Sequence, residues 1–210
     1  MLLDALRKAV NAEVLRAGKK LPAVFLVDHY LNLAGRDFLN ETKLRRIHMN
    51  EATPTPYSGA TTLYLHDDTI EVLEVYYNNV RLSRTSREEL SVFDPNWQTV
   101  AAGTPHSYLT LDNKTIRVYP ACSANSSVKY DAALGWSTDL ADGANADPAG
   151  NGRGVPPTYH MALVYWAADK LAPSPELKAA YAALVEKART ESAQAFAGYL
   201  DGTTALPANA

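Results

Sequence analysis

Apolar residues recur three and four positions apart at the start of the chain: Leu3, Leu6, Val10 and Val14, then Val27, Leu31, Ala34 and Phe38. That spacing holds side chains on one face of a helix. It predicts one helix from about Leu2 to Ala17, stopped by Gly18, and a second from Pro22 to Phe38. Pro22 suits a first helical turn, where its missing N–H costs nothing. Leu26, Tyr30 and Leu33 broaden the second stripe, and the two helices form an α-hairpin.

From Lys43 the period changes to two, with β-branched runs between turn residues. Strands are expected at Lys43–Asn50, Thr61–His66, Ile70–Tyr77, Val80–Arg84, His106–Leu111, Thr115–Ala121 and Val128–Leu134. Asn78-Asn79 and Asp112-Asn113 read as hairpin turns, because Asn tolerates positive φ. Ser86-Arg87-Glu88-Glu89 resembles a capping box that opens a short helix ending near Phe93. About six or seven short strands suffice for a small antiparallel sandwich or barrel.

Gly135–Val155 is rich in Gly, Ala, Asn and Asp and reads as a long loop. Helical patterning returns at Pro157–Leu171, which stops before Pro173. Ser174 then caps a last helix with Pro175 in its first position. Leu177, Tyr181, Leu184, Ala188, Phe196 and Tyr199 form its stripe, and Gly202 ends it. An apolar stripe must be buried against something. The expected fold is therefore α+β: a four-helix bundle (two N-terminal, two C-terminal helices) with an inserted small antiparallel β-sandwich or barrel. Its expected divisions are 1–42, the inserted module 43–136, the loop 137–156, the helical pair 157–201 and a tail, 202–210.

Twenty basic and 23 acidic residues leave a formal charge of -3, which gives no electrostatic case for gripping nucleic acid. The single cysteine, Cys122, excludes an internal disulfide and a thiolate zinc cluster. No run approaches the roughly 20 apolar residues of a membrane span, and Met1-Leu2-Leu3-Asp4 does not open like a signal peptide. Gly150-Asn151-Gly152-Arg153-Gly154 lacks the following helix N-terminus and Lys-Ser/Thr pair of a phosphate loop. His66-Asp67-Asp68 has the ingredients of a metal site or general base, yet no second histidine at ligand spacing. A strand-to-turn junction is its commoner role. His160 fits a packed histidine at a helix start better than a base. Asp139, Asp142 and Asp147 do not keep the register of a calcium loop. The expectation is no catalytic site, no metal and no cofactor. The 12 tyrosines and three tryptophans leave two roles open, interface or core, with Tyr57, Trp97, Tyr108, Tyr119, Trp136 and Tyr159 next to prolines or strand ends. Tyr76-Tyr77 points to opposite faces of a strand, so one of the two should face outward.

One ordered series is specific. Phe93-Asp94-Pro95-Asn96-Trp97 is followed by Gly103-Thr104-Pro105 and Tyr108, then by Thr115-Ile116-Arg117-Val118-Tyr119-Pro120. Val155-Pro156-Pro157-Thr158-Tyr159-His160 closes it, with Leu163-Val164 beyond. This series resembles the head-to-tail adaptor (connector) proteins of tailed bacteriophages, over roughly residues 1–200. The resemblance implies a structural virion protein made in the host cytoplasm and sited at the neck, between portal and tail. It implies a cyclic ring, on the order of twelve copies, closed by heterologous contacts. Its partners would be other copies, the portal protein, a tail or nozzle protein, and double-stranded DNA passing without specific binding; no membrane is involved. In similar proteins the C-terminal segment docks onto the portal, which here points to Tyr199, Leu200 and Leu206. The loop around Asn145–Arg153 is longer than the pattern leads one to expect. Two other readings stay open: a tail-completion or neck protein of different stoichiometry, and a soluble ligand-binding β-module using its aromatic surface.

Overall fold

The computed structural model describes residues 3–51, 62–112, 114–122, 128–136 and 154–200, without the side chains of 47–51 and 195–200. The protein is α+β. Among the described residues it holds five α-helices and eight strands in two four-stranded sheets. It divides into two compact units, a helical one (1–45 with 135–210) and a β unit (46–134).

In the helical unit, α1 (Leu3–Arg16) buries Leu3, Leu6, Val10 and Val14, the stripe that spacing predicts. Gly18 takes the left-handed conformation at φ 72°. There its N–H donates to the Leu15 carbonyl and that of Lys19 to Val14, at 2.9 and 3.1 Å. This paired closure satisfies two carbonyls that a helix end leaves open. Helix α2 (Val24–Thr42) starts later than expected. Ala23 is the extended N-cap residue without a side-chain cap, so Pro22 lies before the helix rather than in its first turn. Bidentate pairing of Arg7 with Asp28, both contacts at 2.6 Å, ties α1 to α2. The left-handed Lys43 (φ 48°) ends α2, which is why the following strand starts at Arg46 and not at Lys43.

A 3₁₀ turn at Pro157–Tyr159 leads into α4 (His160–Leu171), and Ser174 opens α5 (Pro175–Leu200). The Ser174 hydroxyl accepts the Glu176 N–H at 3.2 Å, the cap that the sequence announces. Val185 joins Leu177 and Ala188 as a buried position of α5, with Tyr181 and Leu184 half-buried. Helices α1, α2, α4 and α5 contribute to one core. Gly35 of α2 lies against the Trp136 ring; a Cβ there would sit 2.5 Å from ring carbon Cε3. Gly35→Ala is expected to destabilise the protein by about 1–3 kcal/mol through overpacking, read as a lower urea midpoint with an unchanged slope.

The β unit has β1 (Arg46–Glu51), β8 (Val128–Leu134), β3 (Thr69–Tyr77) and β4 (Val80–Arg81) side by side in one sheet. The other has β2 (Thr62–Tyr64), β7 (Thr115–Tyr119), β6 (Ser107–Asp112) and β5 (Ser83–Arg84). Leu63, Val75, Tyr108, Ile116, Val118, Val128 and Tyr130, drawn from both sheets, share one core. Asn78 and Asn79 do form the β3–β4 turn, at φ 48° and 65°, two left-handed residues as a tight hairpin requires.

Two expectations about the sheets are corrected. Val80–Arg84 is not one strand: Leu82 is buried, its N–H donates to Val75, and the N–H of Ser83 donates to His106. The chain thus passes from one sheet to the other within three residues. The module is not wholly antiparallel either, because β5 pairs with β6 in parallel. Parallel neighbours need a long crossover, and the segment 85–106 with its helix α3 (Arg87–Phe93) supplies it.

Candidate assembly site

The central motif folds into a small cluster of its own on the β unit. Leu90, Trp97, Leu109 and Tyr119 are buried together, with Val100 and Leu111 against them. Helix α3 enters through a complete capping box: the Glu89 N–H donates to the Ser86 hydroxyl and the Ser86 N–H to the Glu89 carboxylate. Those donors hold the Glu89 carboxyl below its ordinary range, the Ser86 backbone foremost.

Asp94 then does three things. Its N–H donates to Leu90 and closes α3. Its carbonyl accepts the Trp97 N–H at 3.0 Å, a turn in which Pro95 has the preset φ that the position favours. Its carboxylate accepts the Asn96 N–H at 3.0 Å and the Tyr119 hydroxyl at 2.7 Å. Trp97 donates from Nε1 to the Ser91 hydroxyl at 3.2 Å, and the Arg117 guanidinium stacks 4.7 Å above its ring. Pro105 is buried, and His106 packs edge-on against Tyr119 at 5.4 Å. Gly103 bridges to Cys122 beside Pro120. The Tyr119–Pro120 peptide is cis. Tyr108 faces the intersheet core instead of this cluster. Phe93 is the exception, lying almost wholly in solvent.

The second half of the motif lies in the helical unit. Pro156 and Pro157 lead into the 3₁₀ turn. Tyr159 is buried, stacks at 5.5 Å from Phe38 and donates its hydroxyl to Glu191. His160 is buried with Nε2 2.9 Å from the Val155 carbonyl; a carbonyl only accepts, which places the proton on Nε2. Tyr199 and Leu200 lie on the last turn of α5, but their side chains, and Leu206 altogether, fall outside the described residues. So do Tyr57, the loop 137–153 with Asp139, Asp142 and Asp147, and Asn113.

His66 sits at a strand-to-turn junction, its Nδ1 accepting the Asp68 N–H at 3.2 Å and its own N–H donating to Tyr130. Among the described residues no group of three or more His, Cys, Asp or Glu could hold a metal ion, and no helix is long and apolar enough to cross a membrane. Cys122 is half-buried, and burial pushes its thiol up, away from the reactive thiolate. Trp97, Tyr108, Tyr119 and Tyr159 are interior, which answers the question left open between core and interface for these four. Tyr77 points inward while Tyr76 is half-buried and donates to Glu74, as strand alternation requires.

Several phenols are pushed above their ordinary value. Tyr159 is raised to about 12 by burial and by its bond to Glu191. Burial raises Tyr108 and Tyr181, and the bond to Asp94 raises Tyr119. A raised folded-state pKa means stability fully present below the unfolded value of about 10 and lost as pH climbs through the folded value. The protein is expected to hold through neutral pH and to unfold above about pH 10. In an ultraviolet phenolate titration these tyrosines should ionise only as the near-ultraviolet dichroism collapses. Smooth ionisation of every tyrosine near pH 10 with the fold intact would contradict it.

The family model described as SU10 adaptor protein matches residues 1–206. The chain belongs to the SU10 adaptor family. This is a family of phage head-to-tail adaptors, as the resemblance implied. No curated protein matches the sequence. The match spans both units and both halves of the motif.

Sequence reasoning missed the Asp94–Tyr119 bond and the Arg117–Trp97 stack, which join residues far apart in the chain. It also passed over Val92 and named Phe93 only as a helix end and within the motif, although a seven-residue helix with a single inward Leu90 already signals that both are exposed.

Proposed function

We propose that this adaptor is a structural ring protein of the virion neck, joined on one side to the portal protein and on the other to a tail or nozzle protein. The ring leaves a channel for double-stranded DNA. The family match over residues 1–206 carries this reading. A formal charge of -3 suits a passage along which DNA slides without being held. The motif residues act as framework: Asp94, Trp97 and Tyr119 fix α3 on its sheet, and Pro156, Pro157, Tyr159 and His160 set the entry to α4. No step of catalysis is assigned to them.

The four helices of the helical unit are read as a bundle and the two sheets as a sandwich inserted into it, at the divisions 1–42, 43–136, 137–156, 157–201 and 202–210. The C-terminal segment with Tyr199, Leu200 and Leu206 is the portal contact in this reading. Deleting Thr203–Ala210 tests it: the expected result is a folded protein missing from purified particles. Undiminished incorporation of the truncated chain would remove the segment from the portal contact.

A further inference from the structure

Large apolar side chains exposed to solvent are few among the described residues, and most gather in two places. Leu15, Leu21, Val24 and Phe25 lie where α1 turns into α2, with Phe25 70% exposed. Val92 and Phe93, 87% and 82% exposed, form the last turn of α3. Scattered exposed residues need no explanation, but grouped ones mark a contact surface.

The tip is basic, and the first turn of α3 is acidic on balance, with Glu88 and Glu89 outnumbering the exposed Arg87. The exposed Lys19 and Lys20 stand immediately before Leu21. The exposed Glu88 and Glu89 lie four residues before Val92 and Phe93, one helical turn away on the same faces. We infer that the α1–α2 tip of one copy docks onto α3 of the next copy, apolar against apolar, with the lysines meeting the glutamates. The occupant is a second copy because one chain carries both complementary halves. Tip against tip would set like charges together, and α3 against α3 would leave the lysines without the glutamates. A contact between two different patches is heterologous, and it closes into a ring when the rotation between copies divides a full turn. Both halves are held in shape beforehand, the tip by the Gly18 closure and the Arg7–Asp28 pair, α3 by its capping box and Asp94. Such preorganisation lowers the entropy cost of docking.

This contact rests on the proposed ring and deepens it by naming the interface. The test uses the full chain carrying Cys122→Ala, assembled into phage particles, with Phe25→Cys and Phe93→Cys introduced singly and together. A short bismaleimide joins thiols, and an amine-reactive cross-linker is run in parallel. The expected result is a ladder of covalent multimers from the double variant, and none from either single variant. Adding Lys20→Glu or Glu88→Lys should weaken the ladder about tenfold, and combining the two should restore it. Multimers with the amine reagent but no thiol ladder would overturn the docking and leave the ring standing. Dimers from a single variant would overturn it in favour of a like-to-like contact. No multimers with either reagent would remove the ring itself, and this contact with it. Val92→Cys in place of Phe93→Cys repeats the reading if the Phe93 variant fails to fold.

Discussion

Trp97→Ala is expected to destabilise the β unit by about 3–5 kcal/mol, the range for emptying a large aromatic site. The cluster around Trp97 is small: Leu90, Leu109 and Tyr119, with Val100 and Leu111 at its edge. So few neighbours cannot refill the space, because α3 is pinned by its capping box and by Asp94. The substitution also removes the surface on which Arg117 stacks and leaves the Ser91 hydroxyl without its indole donor. Hydrogen exchange is the discriminating readout. Protection should fall first in the α3 and β6–β7 amides, while α1, α2 and α4 keep theirs. A loss below about 1 kcal/mol would mean that the motif tryptophan is not a packing residue.

Phe38→Ala should cost about as much in the helical unit, again roughly 3–5 kcal/mol. Phe38 is fully buried on α2 and stacks against Tyr159. Its loss opens a cavity under the residue that ends the Pro156-Pro157 turn and holds Glu191 of α5. The tyrosine bond should loosen with it. Tyr159 is therefore expected to ionise nearer the ordinary phenol value in the variant, measured against Tyr159→Phe to isolate its signal. A fully retained denaturation midpoint would contradict the placement of Phe38 in this core.

The helices were legible because their information is local. Leu3, Leu6, Val10 and Val14 announce a face by spacing alone, and Gly18, Ser86 with Glu89, and Ser174 with Pro175 mark ends by chemistry confined to one turn. The Asn78-Asn79 hairpin belongs to the same class. What the sequence did not convey is non-local. Val80–Arg84 alternates as one strand does, and nothing in those residues says that Leu82 carries the chain between sheets. The parallel pairing of β5 with β6 depends on where the crossover returns. Pro22 misled for a related reason: proline suits both a first helical turn and the position just before a cap, and Ala23 offers no side chain to decide between them. At the motif, Asp94 meets Tyr119 and Arg117 meets Trp97, contacts that join the segment after α3 to β7 and that no local pattern announces. Family membership came from the order of the motifs, which no single residue's physics contains.

The most direct measurement is the copy number of this chain relative to the portal protein in purified particles, by quantitative mass spectrometry with labelled peptides. The ring account predicts about one copy per portal subunit, on the order of twelve per particle. One or a few copies per particle, or none, would contradict it.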